Sequence, residues 1–385
     1  MEDRKEMKIL IVDDMPNMVR TIRNMLRRLG YHRFKDAEDG MSAWNILKND
    51  SVDFVICDWS MPNMTGIELL RKVRLDDDLK EIPFLMVTAE VAEETIAEAA
   101  ETEVDGYIIK PFVAKTLEEK IERILEKRNN PSEVDTYLKL GNIYLNSGMM
   151  DSALKEYNKA LKVQPDNARV QCAFGNFYQK QGELEKSEKA YKKAVALSPQ
   201  YLKVHEGLAT LYDKKGDKKK AIAATKNAAK ISPKNAERQH TLGKMLLKDG
   251  QLEEAKEIFD KVIKIEPKNT GRINEIGDAF LETGMAHEAE ETFKKSLEVN
   301  PGRVETYNQL GMALRKQGKF RDAIKEYKKA LAIDPEDENL HYNIGRTCAE
   351  AGLIADAIEE FEEALRYYPE FEEAKKALEH LKGRK

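Results

Sequence analysis

The sequence predicts two folds in series: a doubly wound α/β domain on a parallel sheet, then an all-α array of paired helices. Three observations carry this. Short apolar runs alternate with amphipathic segments as far as residue 128. Acidic residues stand at the downstream ends of those runs. Beyond them, Pro165, Pro199, Pro233, Pro267, Pro301, Pro335 and Pro369 recur with a spacing of 34.

The elements of the first part follow in order. Lys8 to Val12 (KILIV) reads as a strand, and Met18 to Leu29 as a helix stopped by Gly30. Val52 to Cys57 is a strand, Ile67 to Arg74 a helix, and Phe84 to Val87 a strand. Glu93 to Glu101 is helical, Tyr107 to Ile109 a strand, and Thr116 to Lys127 a last amphipathic helix. Apolar strands alternating with helices imply βαβ crossovers and a sheet covered on both faces. Ligands of such sheets sit beyond the carboxyl ends of the strands.

Charge collects at that edge. Asp13 and Asp14 follow the first strand, and Asp58 stands at the end of the Val52–Cys57 run, opening DWSMPNMTG. Thr88 and then Lys110, before Pro111, close the last two strands. Carboxylates packed together repel one another unless a cation or protons lie between them. A hard divalent ion with oxygen ligands meets that need, with Mg²⁺ as the expected ion.

ILIVDD, DWSMPNMTG, LMVTAE and GYIIKPF occur in that order. With them, residues 6–128 resemble the receiver domain of two-component response regulators, most closely the single-domain chemotaxis receivers. The resemblance implies a five-stranded, flavodoxin-like receiver fold over residues 1–129. It implies Asp58 as phosphoacceptor, with Asp13, Asp14, Asp58 and the main-chain oxygen of Ser60 holding Mg²⁺. Lys110 and Thr88 would bind phosphoryl oxygens, Thr88 and Tyr107 would act as the switch pair, and Lys110–Pro111 would be cis. The close relatives carry asparagine where Ser60 stands and glutamate at Glu90, as here. Both positions tune acyl-phosphate lifetime, which therefore stays open. Cys57 reads as a small buried hydrophobe, and Trp59 equally as site or packing residue.

A short linker, 130–133, leads into residues 134–371. Upstream of each proline lies a small residue: Gly141, Gly175, Ala209, Gly243, Gly277, Gly311 and Gly345. A second glycine series runs from Gly148 to Gly352 and marks a turn between two helices. Ala153, Ser187, Ala221, Ala255, Ala289, Ala323 and Ala357 mark helix contact. Tyr157, Tyr191, Thr225, Phe259, Phe293, Tyr327 and Phe361 fill the aromatic position. The pattern resembles the tetratricopeptide repeat, and implies a superhelix of seven 34-residue repeats. Residues 372–385 then hold a solvating cap helix, Glu372 to Lys382, and a tail.

Net charge is −5, unevenly spread. Residues 1–128 carry 20 basic and 27 acidic side chains, residues 168–235 carry 15 and 6, and residues 338–371 carry 2 and 8. Arg169, Lys180, Lys203, Lys214, Lys244 and Lys248 recur at groove-type positions and suggest a basic groove for an acidic peptide. A solvated charged face is the plain alternative. Asn142 and Asn176 resemble carboxylate-clamp residues, but Leu138 and Cys172 stand where that clamp needs lysine, so no clamp is expected. An acidic chain without a helix-turn-helix signature argues against nucleic-acid binding. No apolar stretch approaches the roughly 20 residues of a membrane span. Three distant cysteines suit a reducing compartment, and the charged N-terminus reads as no signal peptide, so a cytoplasmic location is expected. The composite expectation is a signalling and binding protein, not an enzyme. The two resemblances imply that a sensor histidine kinase would phosphorylate it and that it would act on a protein or peptide ligand of the repeats. The rival is an assembly scaffold indifferent to phosphorylation.

Overall fold

A computed structural model describes residues 6–89 and 104–383. The chain divides into two compact units, residues 1–235 and 236–385. The first holds the sheet domain and three helix pairs, the second four pairs and a final helix.

In the sheet domain, β1 (Lys8–Val12), β2 (Arg33–Ala37), β3 (Phe54–Asp58), β4 (Phe84–Thr88) and β5 (Gly106–Ile109) form one parallel sheet in the order β2-β1-β3-β4-β5. Successive side chains of a strand face opposite ways, and both faces are covered. Leu10, Val12, Val55, Cys57, Phe84 and Met86 pack toward α2 (Gly40–Asn49) and α3 (Gly66–Leu75). Ile9, Ile11, Phe54, Ile56, Leu85 and Val87 pack toward α1 (Pro16–Arg28) and α4 (Ala114–Asn129). Double coverage is why the central strands read as unbroken apolar runs.

The expected α/β class holds, with instructive shifts at element ends. Asp58 and Thr88 are the last residues of their strands, because Asp58 is in register with Val87 and Thr88 with Ile109. The apolar runs identify four strands and miss β2. That strand, Arg-Phe-Lys-Asp-Ala, lies at the sheet edge with three of its five side chains exposed, so nothing demands an apolar run. Helix α2 is also unannounced by such a run, and starts on a side-chain cap from Asp39 to the Ser42 amide. The helix expected at Glu93–Glu101 lies outside the described residues.

Helix α4 ends at Asn129 and α5 (Glu133–Asn146) begins on a Ser132 cap, with Ser132 Oγ accepting from the Asp135 amide. An exposed Lys139–Glu81 ion pair at 3.1 Å joins this helix to the sheet domain. With α6 (Met150–Val163), α5 forms the first repeat. The first unit continues with α7 (Ala168–Lys180), α8 (Leu184–Leu197), α9 (Leu202–Lys214) and α10 (Lys218–Ile231). The second unit holds α11 (Ala236–Lys248), α12 (Leu252–Ile265), α13 (Thr270–Glu282), α14 (Ala286–Val299), α15 (Val304–Lys316) and α16 (Phe320–Leu331). It ends with α17 (Glu338–Glu350), α18 (Ile354–Tyr367) and α19 (Glu372–Lys382).

Both glycine series have a physical cause. Gly148, Gly182, Gly216, Gly250, Gly284, Gly318 and Gly352 turn the chain at φ between 72° and 83°, a region that disfavours residues with a Cβ. The upstream series instead makes room for a ring. A Cβ on Gly175 would lie 2.4 Å from Tyr191, and one on Gly311 2.4 Å from Tyr327. The third repeat departs at both positions together, with Ala209 opposite Thr225: a smaller partner admits the methyl group. Ser187, fully buried in the alanine series, donates to the Gly175 carbonyl at 2.8 Å and leaves no unsatisfied hydroxyl.

This ring-for-methyl exchange is testable. Gly311→Ala is expected to destabilise by about 1–3 kcal/mol through overpacking against Tyr327. Ala209→Gly should cost only about 0.5–1 kcal/mol of backbone entropy. Urea unfolding of the full chain separates the two, and equal costs would refute the ring-contact account.

Candidate functional site

The site is assembled where β1, β3, β4 and β5 end. Asp13 follows β1 directly. Its amide donates to Ala37 O at 3.1 Å, and its Oδ1 accepts from the Met15 amide at 2.9 Å. These bonds fix a carboxylate that is only 2 % exposed. Asp58 is carried by the central strand β3 and is 8 % exposed. Lys110 leaves β5 with its amide donating to Thr88 O at 2.7 Å, and its ammonium bridges the two acids. Lys110 Nζ lies 2.6 Å from Asp58 Oδ1 and 3.0 Å from Asp13 Oδ2. The Lys110–Pro111 peptide is cis, as expected.

Burial pushes the Asp58 carboxyl above its usual range, and repulsion from Asp13 and Asp14 adds to it, while the Lys110 hydrogen bond pulls the other way. Lys110 is affected by burial first, which favours its neutral form. The hydrogen bonds to Asp58 and Asp13 outweigh that and hold its ammonium above the usual range. Two carboxylates thus share one ammonium, and the charge of Asp14 adds to the repulsion at Asp58. Asp14 is exposed, with its charge felt at Asp58. Among the described residues no three His, Cys, Asp or Glu side chains converge as a ready-made metal set. Asp13 and Asp58 instead face each other across Lys110.

Of the other expected residues, Thr88 is 5 % exposed at the end of β4. Ser60 is exposed two residues beyond Asp58. Tyr107 is half-buried against the α2/α3 core, with Lys120 Nζ 5.3 Å from its ring centre. Trp59 packs against that core and its amide donates to Val87 O at 2.8 Å. Cys57 is fully buried and burial pushes its thiol well up, as fits an inert side chain.

A feature that the apolar pattern does not reveal lies beside the site. The loop after Asp58 carries Asn63 at φ 62°, and Asn63 Nδ2 donates to Asp39 Oδ2 at 2.6 Å. The available sequence signal was the helix-start pattern Asp39-Gly40-Met41-Ser42.

In the repeats, Asn142 and Asn176 each accept from the tyrosine of their own repeat, Tyr157 at 2.7 Å and Tyr191 at 2.6 Å. Leu138 and Cys172 are buried. These are scaffold contacts. Groove residues are likewise engaged between repeats: Arg169 with Asp135 at 2.5 Å, and Lys180 with the Leu145 carbonyl at 2.7 Å. Lys203 and Lys214 are exposed in the first unit, and Lys244 and Lys248 in the second.

Comparison with known proteins finds matches to both the receiver and the repeat parts of the chain. The response regulator receiver domain model matches residues 9–122. A tetratricopeptide repeat model matches residues 314–381, and the model described as the cilia and flagella-associated protein 70 C-terminal domain matches 87–341. Chemotaxis protein CheY-3 of Vibrio cholerae is 51% identical over 123 residues, 32% of this chain and 95% of its own. Chemotaxis protein CheY of Pseudomonas aeruginosa is 53% identical over 123 residues, 32% of this chain and 99% of its own. Among solved structures, Naa15/Naa10 bound to HypK-THB superposes with a TM-score of 0.53 at 15% identity, over 66% of this chain and 39% of that one, a likeness of fold alone. The chain belongs to the response regulator receiver family through its N-terminal domain. A tetratricopeptide region follows, the part that also falls in the family of the cilia and flagella-associated protein 70 C-terminal domain. No described helix is long and apolar enough to cross a membrane.

The electrostatics predict a pH-dependent stability effect. A carboxyl held above its unfolded range binds its proton more tightly in the folded state. Its ionisation therefore destabilises as pH rises through that window. Asp58→Asn should raise the melting midpoint at neutral pH, and the gain should shrink as pH falls below the carboxylate range. Thermal melts across pH check this, and a gain that does not change with pH would refute it.

Proposed function

We propose that the chain is the response regulator of a two-component phosphorelay, acting in the cytoplasm through its repeats. In this reading, a histidine kinase transfers a phosphoryl group to Asp58, and the change of state modulates how the repeats engage a protein partner. The observation that carries it is Lys110 Nζ held within 3.0 Å of both Asp58 and Asp13 at the carboxyl edge of the sheet.

An Asp58 carboxylate oxygen attacks phosphorus, and the bond from phosphorus to the donor breaks. The approach brings negative charge to a region already short of cations, so the site must neutralise charge and hold the line of attack. Lys110 would pair with phosphoryl oxygens, and Thr88 would donate its hydroxyl to one of them. The oxygen-only donors, with a buried carboxyl raised first by burial and then by its acidic neighbours, fit a hard divalent cation. Asp14, Asp58 and the Ser60 carbonyl would hold Mg²⁺ directly, and Asp13 through water. When bound, that ion would supply positive charge to offset the carboxylates and the incoming phosphoryl group.

The phosphoryl group adds roughly −1.5 to −2 charges. Thr88 moving toward that charge would free space for the half-buried Tyr107, altering the face that includes α4. That helix leads through three residues into α5, so a change there lies beside the first repeat. The chain's own chemistry would be limited to gaining and losing this phosphoryl group.

Incubating the protein with acetyl phosphate tests the reading. Hydroxylamine-sensitive phosphate should appear in the wild type only with Mg²⁺, and should fall to background in Asp58→Ala. A folded wild type that takes up no label would sink the switch, and would favour the phosphorylation-independent scaffold.

A further inference from the structure

We infer that Asp39 is a positioning residue for the cation side of the Asp58 site, acting through Asn63 on the loop that carries Ser60. This rests on the phosphoryl-transfer reading above and adds a residue that reading does not contain.

The loop from Trp59 to Thr65 is tied at two ends to different elements. At its root, the Trp59 amide donates to Val87 O at 2.8 Å, and the Gly66 amide donates to Trp59 O at 3.0 Å, which holds this end on the sheet. Its far limb is held by the start of α2: the Gly40 amide donates to Met64 O at 3.0 Å, and Asn63 Nδ2 donates to Asp39 Oδ2 at 2.6 Å. Ser60 lies between the two anchors. Its carbonyl belongs to the backbone, so no rotamer change can correct a misplaced oxygen. The oxygen's position is set by the loop alone.

The far anchor is built with unusual economy of space. A Cβ on Gly40 would lie 2.6 Å from Met64 O, so the helix start approaches the loop as closely as a backbone without a side chain allows. Among the described residues, Asn63 is the non-glycine residue with positive φ. Asparagine tolerates that region better than most side chains, and its amide here also reaches Asp39. Asp39 serves two elements at once. Oδ1 accepts from the Ser42 amide at 2.7 Å and the Ser42 hydroxyl at 2.5 Å, which caps α2, while Oδ2 takes Asn63. The Ser42 hydroxyl, then its amide, then Asn63 hold the Asp39 carboxyl below its usual range, so it stays an acceptor on both oxygens.

Partners that orient a cation's ligands typically change affinity 10–100-fold when removed. Two substitutions remove the tie by different routes. Asp39→Ser keeps the cap, since serine caps helices about as well as aspartate does, but has no second oxygen to accept from Asn63. Asn63→Gly keeps the left-handed backbone and deletes the donor.

The test is calorimetric titration of Mg²⁺ into the full chain, with no phosphoryl donor present. Each variant is expected to bind Mg²⁺ about tenfold more weakly than wild type while staying folded at the titration temperature, which melting curves check. The double variant should be no weaker than either single one, because both remove the same bond. Wild-type affinity in both variants, additive losses in the double variant, or a wild type that binds no Mg²⁺ would each overturn the inference. Acetyl phosphate labelling of the same proteins keeps the two claims apart. Labelled wild type with unshifted variants refutes Asp39's role and leaves Asp58 as acceptor. Shifted Mg²⁺ binding without any labelling refutes the acceptor reading and leaves the Asp39 tie standing.

Discussion

A carboxylate at the tip of a fully buried central strand has a cost that the rest of the sheet domain must offset. Asp58 cannot retreat, because its neighbours in β3 are packed on both faces and its backbone is in register with Val87. Its charge must be met where it stands. Lys110 meets part of it from the end of β5, which requires β5 to lie beside β4. Asp13, more deeply buried, draws on the same ammonium from the other side. The strand order, with β1 on one flank of β3 and β4 then β5 on the other, is what brings one lysine between two acids 45 residues apart in the chain. The remaining excess of negative charge calls for a further cation or a bound proton, and it comes from the topology, since no local stretch of sequence contains both partners.

The repeats obey a different constraint, that of a ring meeting a backbone. In six of the seven repeats an aromatic side chain lies where the first helix has glycine, and in the remaining one both members change together. The tyrosines add a polar tie. Tyr157 and Tyr191 donate to Asn142 and Asn176, so those asparagines complete the scaffold of their own repeats. Lys180 caps the end of the preceding repeat's first helix in the first unit, and Lys316 does the same to Leu281 in the second. Such lysines lie at groove-type positions yet satisfy helix carbonyls. Charge at these positions is therefore a poor guide to ligand chemistry until its local partners are known.

Acidic and basic residues are unevenly distributed, and the structure divides them by role. Lys215 is held between Glu185 and Glu188, and its ammonium lies well above the usual lysine range through those two hydrogen bonds. Glu290 is buried, which alone would raise its carboxyl. The ammonium groups of Lys294 and Lys319 and the Gln317 amide overcome this and hold it at about 2. These networks join neighbouring repeats and absorb much of the charge that composition alone would assign to a partner.

Periodic features were readable from the sequence alone. A 34-residue spacing of proline, glycine and small residues reports helix-on-helix contact, because each repeat meets the same packing problem. Apolar runs report strands buried on both faces. The acidic, hydroxyl and lysine residues at strand ends were legible for the same reason, since they interrupt those runs at one edge. Tertiary structure decided what periodicity does not encode. β2 is a strand because β1 offers it an edge, although Arg-Phe-Lys-Asp-Ala has no apolar run. Arg169 and Lys180 became contacts between repeats because residues 34 and 35 positions earlier come within hydrogen-bonding distance. Asp39 reached Asn63 across 24 residues because α2 begins beside the loop after β3. Local patterns record what each segment buries, whereas a hydrogen bond between distant side chains exists only once the fold has brought them together.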